Sequence, residues 1–80
     1  MDSAEIEGLI HGELPAATVR VIDETGGHFQ AVVVAAEFSG KSLVERHQLV
    51  YRSLKGAMAD RIHALSIKTY TPEEWAQTRG

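Results

Sequence analysis

The sequence predicts an α+β fold in the order α-β-β-α-α-β with a short C-terminal helical turn. Three observations carry this expectation. Helix-start chemistry recurs at Asp2/Glu5, at Ser42/Glu45 and at Thr71-Pro72-Glu73-Glu74. Two β-branched runs, TVRVID and FQAVVVA, flank a glycine-bearing turn. Further on, ALSIK has a two-residue period: Leu65 and Ile67 point one way and Ala64, Ser66 and Lys68 the other, as in a half-buried strand.

In chain order, Asp2 and Glu5 form a capping box, and Ile6, Leu9, Ile10 and Leu14 make one apolar stripe that Pro15 ends. His11, near the end of this helix, suits the helix dipole. Thr18 to Asp23 and Phe29 to Ala35 read as a hairpin joined by ETGGH, with Phe29, Ala31 and Val33 on one face. Ser42 and Glu45 open a helix that presents Leu43, His47, Val50 and Leu54 at helical spacing, so His47 reads as a satisfied, partly buried histidine. Gly56 interrupts it, and a short second helix around Ala57 to Arg61 leads into the last strand. Thr71 as N-cap and Pro72 at the first helical position place Trp75 in a terminal turn, its indole expected over the sheet edge or the first helix. There are no repeats and no low-complexity segments.

The 80 residues are read as one domain, residues 1–80, too small for a deep catalytic cavity. With no cysteine the chain forms no disulfide, offers no thiolate nucleophile and cannot by itself hold a Cys-ligated zinc or iron–sulfur cluster. The acidic MDSAEIEGL start lacks the regions of a signal peptide, and no apolar run reaches the roughly 20 residues that span a bilayer. A soluble cytoplasmic protein with no membrane contact is the expectation. The net charge of −3 is unevenly spread: residues 1–37 carry −6, residues 38–70 carry +4 and the last ten −1. The basic middle, with Lys41, Arg46, Arg52, Lys55 and Arg61, can steer an anionic partner or simply form a solvated face.

Gly40-Lys41-Ser42 superficially suggests a phosphate loop, but alanines stand at positions 35 and 36, where that motif needs its upstream glycine, and a plain helix start is the better reading. No Ser/His/acid set or carboxylate pair is marked out by spacing, so nothing argues for an enzyme. His28 closes the hairpin turn and His63 opens the last strand. A helix cap, a buried hydrogen bond and a metal ligand are all open to His63. Two imidazoles converging at one end of a sheet would form an exposed, incomplete metal site.

Three stretches, GGHFQAVVV, FSGKSLVERHQLVY and RIHALSIKTYTPEEW, resemble the BolA family, and the resemblance covers nearly the whole chain. The short ETGG turn is similar to the bacterial branch with a compact first hairpin. The resemblance implies an α+β fold akin to a class II KH domain without its GxxG loop, since RSLKGAM between the two central helices holds one glycine. It also implies a monothiol glutaredoxin as partner and a [2Fe–2S] cluster shared with it. The family's ligand histidine before the last strand falls on His63, and the hairpin-loop ligand falls on His28. A glutaredoxin cysteine and glutathione would supply thiolates to the other iron. Imidazole in place of thiolate removes negative charge and raises the reduction potential, as in Rieske centres. Members are also described as DNA-binding regulators that use the α-α segment. Here Lys41, Arg46, Arg52, Lys55 and Arg61 would form that surface or meet the glutaredoxin, with at most weak, sequence-independent DNA binding expected.

Overall fold

The structure, a computed structural model, describes residues 2–60, 62 and 64–79. The first helix, α1 (Ser3–Glu13), starts where the sequence places it: the Asp2 carboxylate accepts the Glu5 N–H at 2.9 Å and Glu5 accepts the Asp2 N–H at 3.2 Å. Ile6 and Ile10 are fully buried and Leu14 nearly so, but Leu9 is 39% exposed. Ile10 and Leu14 wind the stripe to one side of Ile6 at about 100° per residue, and Leu9 falls on the other flank, at the rim. His11 sits in the last turn, as expected, and its Nε2–H also donates to the Ala17 carbonyl at 3.0 Å, tying the helix end to the start of the sheet.

Three strands, β1 (Thr18–Thr25), β2 (His28–Val34) and β3 (Ala64–Tyr70), form a mixed sheet in the order β1-β2-β3. β1 and β2 are antiparallel, from Thr18↔Val34 to Thr25↔His28; β2 and β3 are parallel, from His28↔Ala64 to Val34↔Tyr70. The hairpin is tighter than ETGGH suggests, because both strands continue into it and only Gly26 and Gly27 remain in the turn. A bulge between Asp23 and Thr25 takes up the extra residue. Three successive residues, Thr25, Gly26 and Gly27, have positive φ (94°, 64° and 79°), which favours glycine at the turn itself. The Asp23 carboxylate accepts the Thr25 N–H at 2.9 Å and holds the bend.

A parallel β2–β3 pair needs a crossover, and α2 (Leu43–Ser53) with α3 (Lys55–Asp60) provides it. A short 3₁₀ turn, Ala36–Phe38, leads into α2 and buries Phe38 completely. Ser42 and Glu45 form their capping box at the start of α2. The covered stripe then begins later than the spacing suggests: Leu43 is 63% exposed, and only Val50 and Leu54 are fully buried. Gly56 lies inside α3; the break comes at Leu54, whose N–H closes a tightened last turn on the Tyr51 carbonyl.

The helices cover one sheet face. Val21, Phe29, Ala31 and Val33 pack there with Ile6, Ile10, Val50 and Leu54, and Leu65 and Ile67 border the cluster. His47 is half-buried, as the spacing implies, but it is not satisfied: its buried Nε2 has no hydrogen-bond partner among the described residues, and neither has the Thr69 Oγ1.

The tail is a full helix, α4 (Pro72–Arg79), rather than a single turn. The Thr71 hydroxyl accepts the Glu74 N–H at 3.1 Å and the Glu74 carboxylate accepts the Thr71 N–H at 2.8 Å. Trp75 comes over the sheet edge at Tyr70, the last residue of the edge strand β3. Its ring lies 5.2 Å from that of Tyr70, tilted by 56°, and it shares a cavity wall with Thr18, Arg20, Val32 and Val34, on the sheet face turned away from the core. The chain reverses at Thr71 directly after β3, so one helical turn later it has come back over the end of the sheet it left. No helix among the described residues is long and apolar enough to cross a membrane.

Candidate functional site

His28 is the first residue of β2 and is exposed. The glycine turn delivers it there, and β3 enters beside it: Ala64 is its cross-strand partner, and the Ala64 N–H donates to the Gly27 carbonyl at 3.3 Å. The imidazole of His28 makes no hydrogen bond or ion pair among the described residues. His63 and Arg61 lie outside the described residues. In sequence, His63 stands between Ile62, which is buried in the core, and Ala64, which faces His28. No group of three His, Cys, Asp or Glu side chains converges into a metal cage among the described residues.

The basic segment divides. Lys41 and Lys55 are exposed, and Arg52 is only loosely paired with Glu13 at 3.9 Å. Arg46 is different, with 13% of its side chain exposed. Its guanidinium donates to both Glu74 carboxylate oxygens at 2.7 and 3.3 Å and through Nε to the Lys41 carbonyl at 3.1 Å, and it lies 5.9 Å from the Phe38 ring centroid. Arg46 is thus engaged within the fold, with little of its side chain left exposed. The Arg46 hydrogen bonds, and then the Thr71 N–H, hold the Glu74 carboxyl below the ordinary carboxylate range, and Glu74 in turn raises Arg46. Glu45 is likewise lowered, chiefly by the Ser42 N–H of its capping box.

Sequence reasoning missed the double use of Glu74. Its place at the third position of α4 announces a cap, and nothing local announces a partner 28 residues upstream. It also missed Val44 and Tyr51, 65% and 39% exposed on α2, which set apolar surface beside Lys55 and Arg52.

Comparison with known proteins matches residues 7–74 to the family model described as BolA-like protein. The acid stress protein IbaG of Escherichia coli strain K12 is 44% identical over 80 residues, covering 99% of this chain and 94% of that protein. The DNA-binding transcriptional regulator BolA of Vibrio cholerae is 37% identical, covering 90% of this chain and 76% of that protein. Among solved structures, a bol-like protein from Babesia bovis superposes with a TM-score of 0.89 at 30% identity, covering 100% of this chain and 95% of that one. These relatives carry the names of a stress protein and a regulator, not of enzymes. Helix order, mixed three-stranded sheet and matched sequence agree, and the chain belongs to the BolA-like family.

Proposed function

We propose that the chain is a non-catalytic iron–sulfur adaptor that docks on a monothiol glutaredoxin and co-ligates a shared [2Fe–2S] cluster through His28 and His63. The observation that supports this most is His28: an exposed imidazole with no hydrogen bond or ion pair among the described residues, fixed at the start of a strand directly opposite the residue that follows His63. Two imidazoles make an incomplete site, which suits a cluster whose remaining ligands, a glutaredoxin cysteine and glutathione, come from the partner. When bound, the cluster would supply electron storage or transferable iron and sulfide. The chain's own part is to present two neutral nitrogens on a rigid sheet end. An imidazole nitrogen binds metal only when unprotonated, so the assembly is expected to be acid-sensitive.

The test is the visible spectrum of this protein copurified with a monothiol glutaredoxin. His63→Ala should abolish or alter the cluster bands and leave the apo-protein folded; His28→Ala should do so more weakly. An unchanged spectrum from the double variant rules out the ligand assignment, and so does unfolding of apo His63→Ala.

A DNA-binding regulator is the second reading, favoured by the exposed Lys41 and Lys55 and by the name of the Vibrio cholerae relative. It ranks lower because Arg46 is engaged with Glu74. Each neutralised phosphate contributes about −0.9 to the log–log salt slope, so the few cations left predict shallow, weak binding. Tight binding to one operator at physiological salt would reverse the order.

A further inference from the structure

The sheet face turned away from the helices carries a second candidate site, at the opposite end from His28. Cross-strand register lines up its residues in rows: Thr18–Val34–Tyr70, then Arg20–Val32–Lys68, then Ile22–Gln30–Ser66. Trp75 of α4 comes over the first row. With Thr18, Arg20, Val32 and Val34 it encloses an open cavity of about 340 Å³, near the lower bound for small-molecule sites. Val34 to His28 is six residues along β2, roughly 20 Å at about 3.3 Å per residue, so this cavity and the hairpin end are separate.

The chemistry of the rows is one-sided. Arg20 and Lys68 flank Val32 from the two neighbouring strands, both exposed, and neither side chain has an ion pair or hydrogen bond among the described residues. The three rows contain no acidic residue. The floor is apolar (Val32, Val34), one wall is aromatic (Trp75, with Tyr70 tilted against it), and Thr18 offers a hydroxyl at the rim. Two cations with no ion pair among the described residues, Arg20 in the cavity wall with Trp75 and Lys68 across Val32 from it, complement a ligand that joins an anion to a planar ring. The phosphate would lie over Val32 between Arg20, which can bind it bidentately, and Lys68, and the ring would lie against the indole. The cavity holds about one such unit, and the chain's net charge of −3 disfavours a long polyanion.

We infer that this niche binds a single nucleoside monophosphate, through Arg20 and Lys68 on the phosphate and Trp75 on the base. The inference is independent of the cluster reading, since it uses no residue of the hairpin end.

The test is a titration of the isotopically labelled protein with adenosine 5′-monophosphate at low salt, followed by NMR. Saturable shifts are expected at Arg20, Val32, Val34, Lys68 and the Trp75 indole, with His28 and Ala64 unmoved. Adenosine alone and inorganic phosphate alone should each bind at least tenfold more weakly. Arg20→Gln should weaken the nucleotide about tenfold or more, and Lys68→Gln less, with both variants retaining the wild-type fold in their spectra. The inference fails if the shifts are absent or lie elsewhere, if Arg20→Gln binds as tightly as wild type, or if phosphate alone matches the nucleotide. A single-stranded oligonucleotide that binds these rows far more tightly than the mononucleotide would also overturn it, in favour of a nucleic-acid platform.

Discussion

The two ends of the sheet are built on opposite principles. At the α4 end one carboxylate, Glu74, closes a capping box with Thr71 and a bidentate pair with Arg46, while Arg46 lies over the buried Phe38 ring and holds the Lys41 carbonyl. Arg46 and Glu74 each have more than one partner there, one of them 28 residues away. At the hairpin end the side-chain contacts are few: Asp23 accepts the Thr25 N–H, the strands meet through the backbone of Gly27 and Ala64, and the His28 imidazole has no hydrogen bond or ion pair among the described residues. Fixing one end by shared side-chain contacts leaves side chains at the other end available for binding without risking the fold. On the proposed cluster reading, metal binding and the Arg46–Glu74 clamp thus fall to different residues.

If this division is right, substitutions should separate cleanly by end. The largest loss of stability is expected from Phe38→Ala, which empties a fully buried ring site and removes the surface under Arg46. A cost of about 4 kcal/mol in urea unfolding is expected, with the cluster spectrum unchanged in whatever fraction stays folded. Trp75→Ala should cost less, about 2 kcal/mol, because the indole is only half-buried; an unaltered unfolding midpoint would show that α4 does not hold its end of the sheet.

The next effect depends on pH. The folded-state pKa of Glu74 is lowered, chiefly by Arg46, so its contribution is complete above the unfolded-state value and is lost as pH falls through the folded one. Wild-type melting temperature should therefore drop more steeply below about pH 4.5 than that of Glu74→Gln, whose amide can still accept the Thr71 N–H but carries no charge to titrate. Parallel melting curves for the two proteins from pH 3 to 7 would remove Glu74 from the account. The smallest effect belongs to the hairpin: His28→Ala should change apo stability by no more than about 0.5 kcal/mol, while weakening or shifting the cluster bands. A large loss of apo stability there would erase the contrast between the ends.

What could be read from the sequence follows the same line. Chemistry that acts over three or four residues was legible: the capping boxes at Asp2, Ser42 and Thr71, the glycine turn, and the alternation of Phe29, Ala31 and Val33. Contacts between distant segments were not. Arg46 looked like any solvated cation because Glu74 is 28 residues away. Trp75 could have gone to either sheet face, since the direction of the reversal at Thr71 has no signature in residue type. Leu43 sits at helical spacing from His47, but spacing alone does not say where along the helix the covering sheet begins. At the candidate site, residue type brought out His28, and its exposure and its position opposite Ala64 came only with the strand register.

The parallel pairing of β2 with β3 also bears on how the chain reaches this structure. Each residue of β2 faces the residue 36 positions later, from His28↔Ala64 to Val34↔Tyr70. The β1–β2 hairpin closes locally and can form early, whereas β3 must find its place after the whole α2–α3 crossover has been made, and loop closure over that distance slows such pairings. Arg46 meets its counter-ion only when α4 arrives later still. On a ribosome the N-terminal half therefore waits with an unpaired β2 edge until β3 and α4 emerge. Folding is in this sense timed by the C-terminus: a chain released short of Glu74 would have neither the arginine clamp nor the helix that caps the sheet.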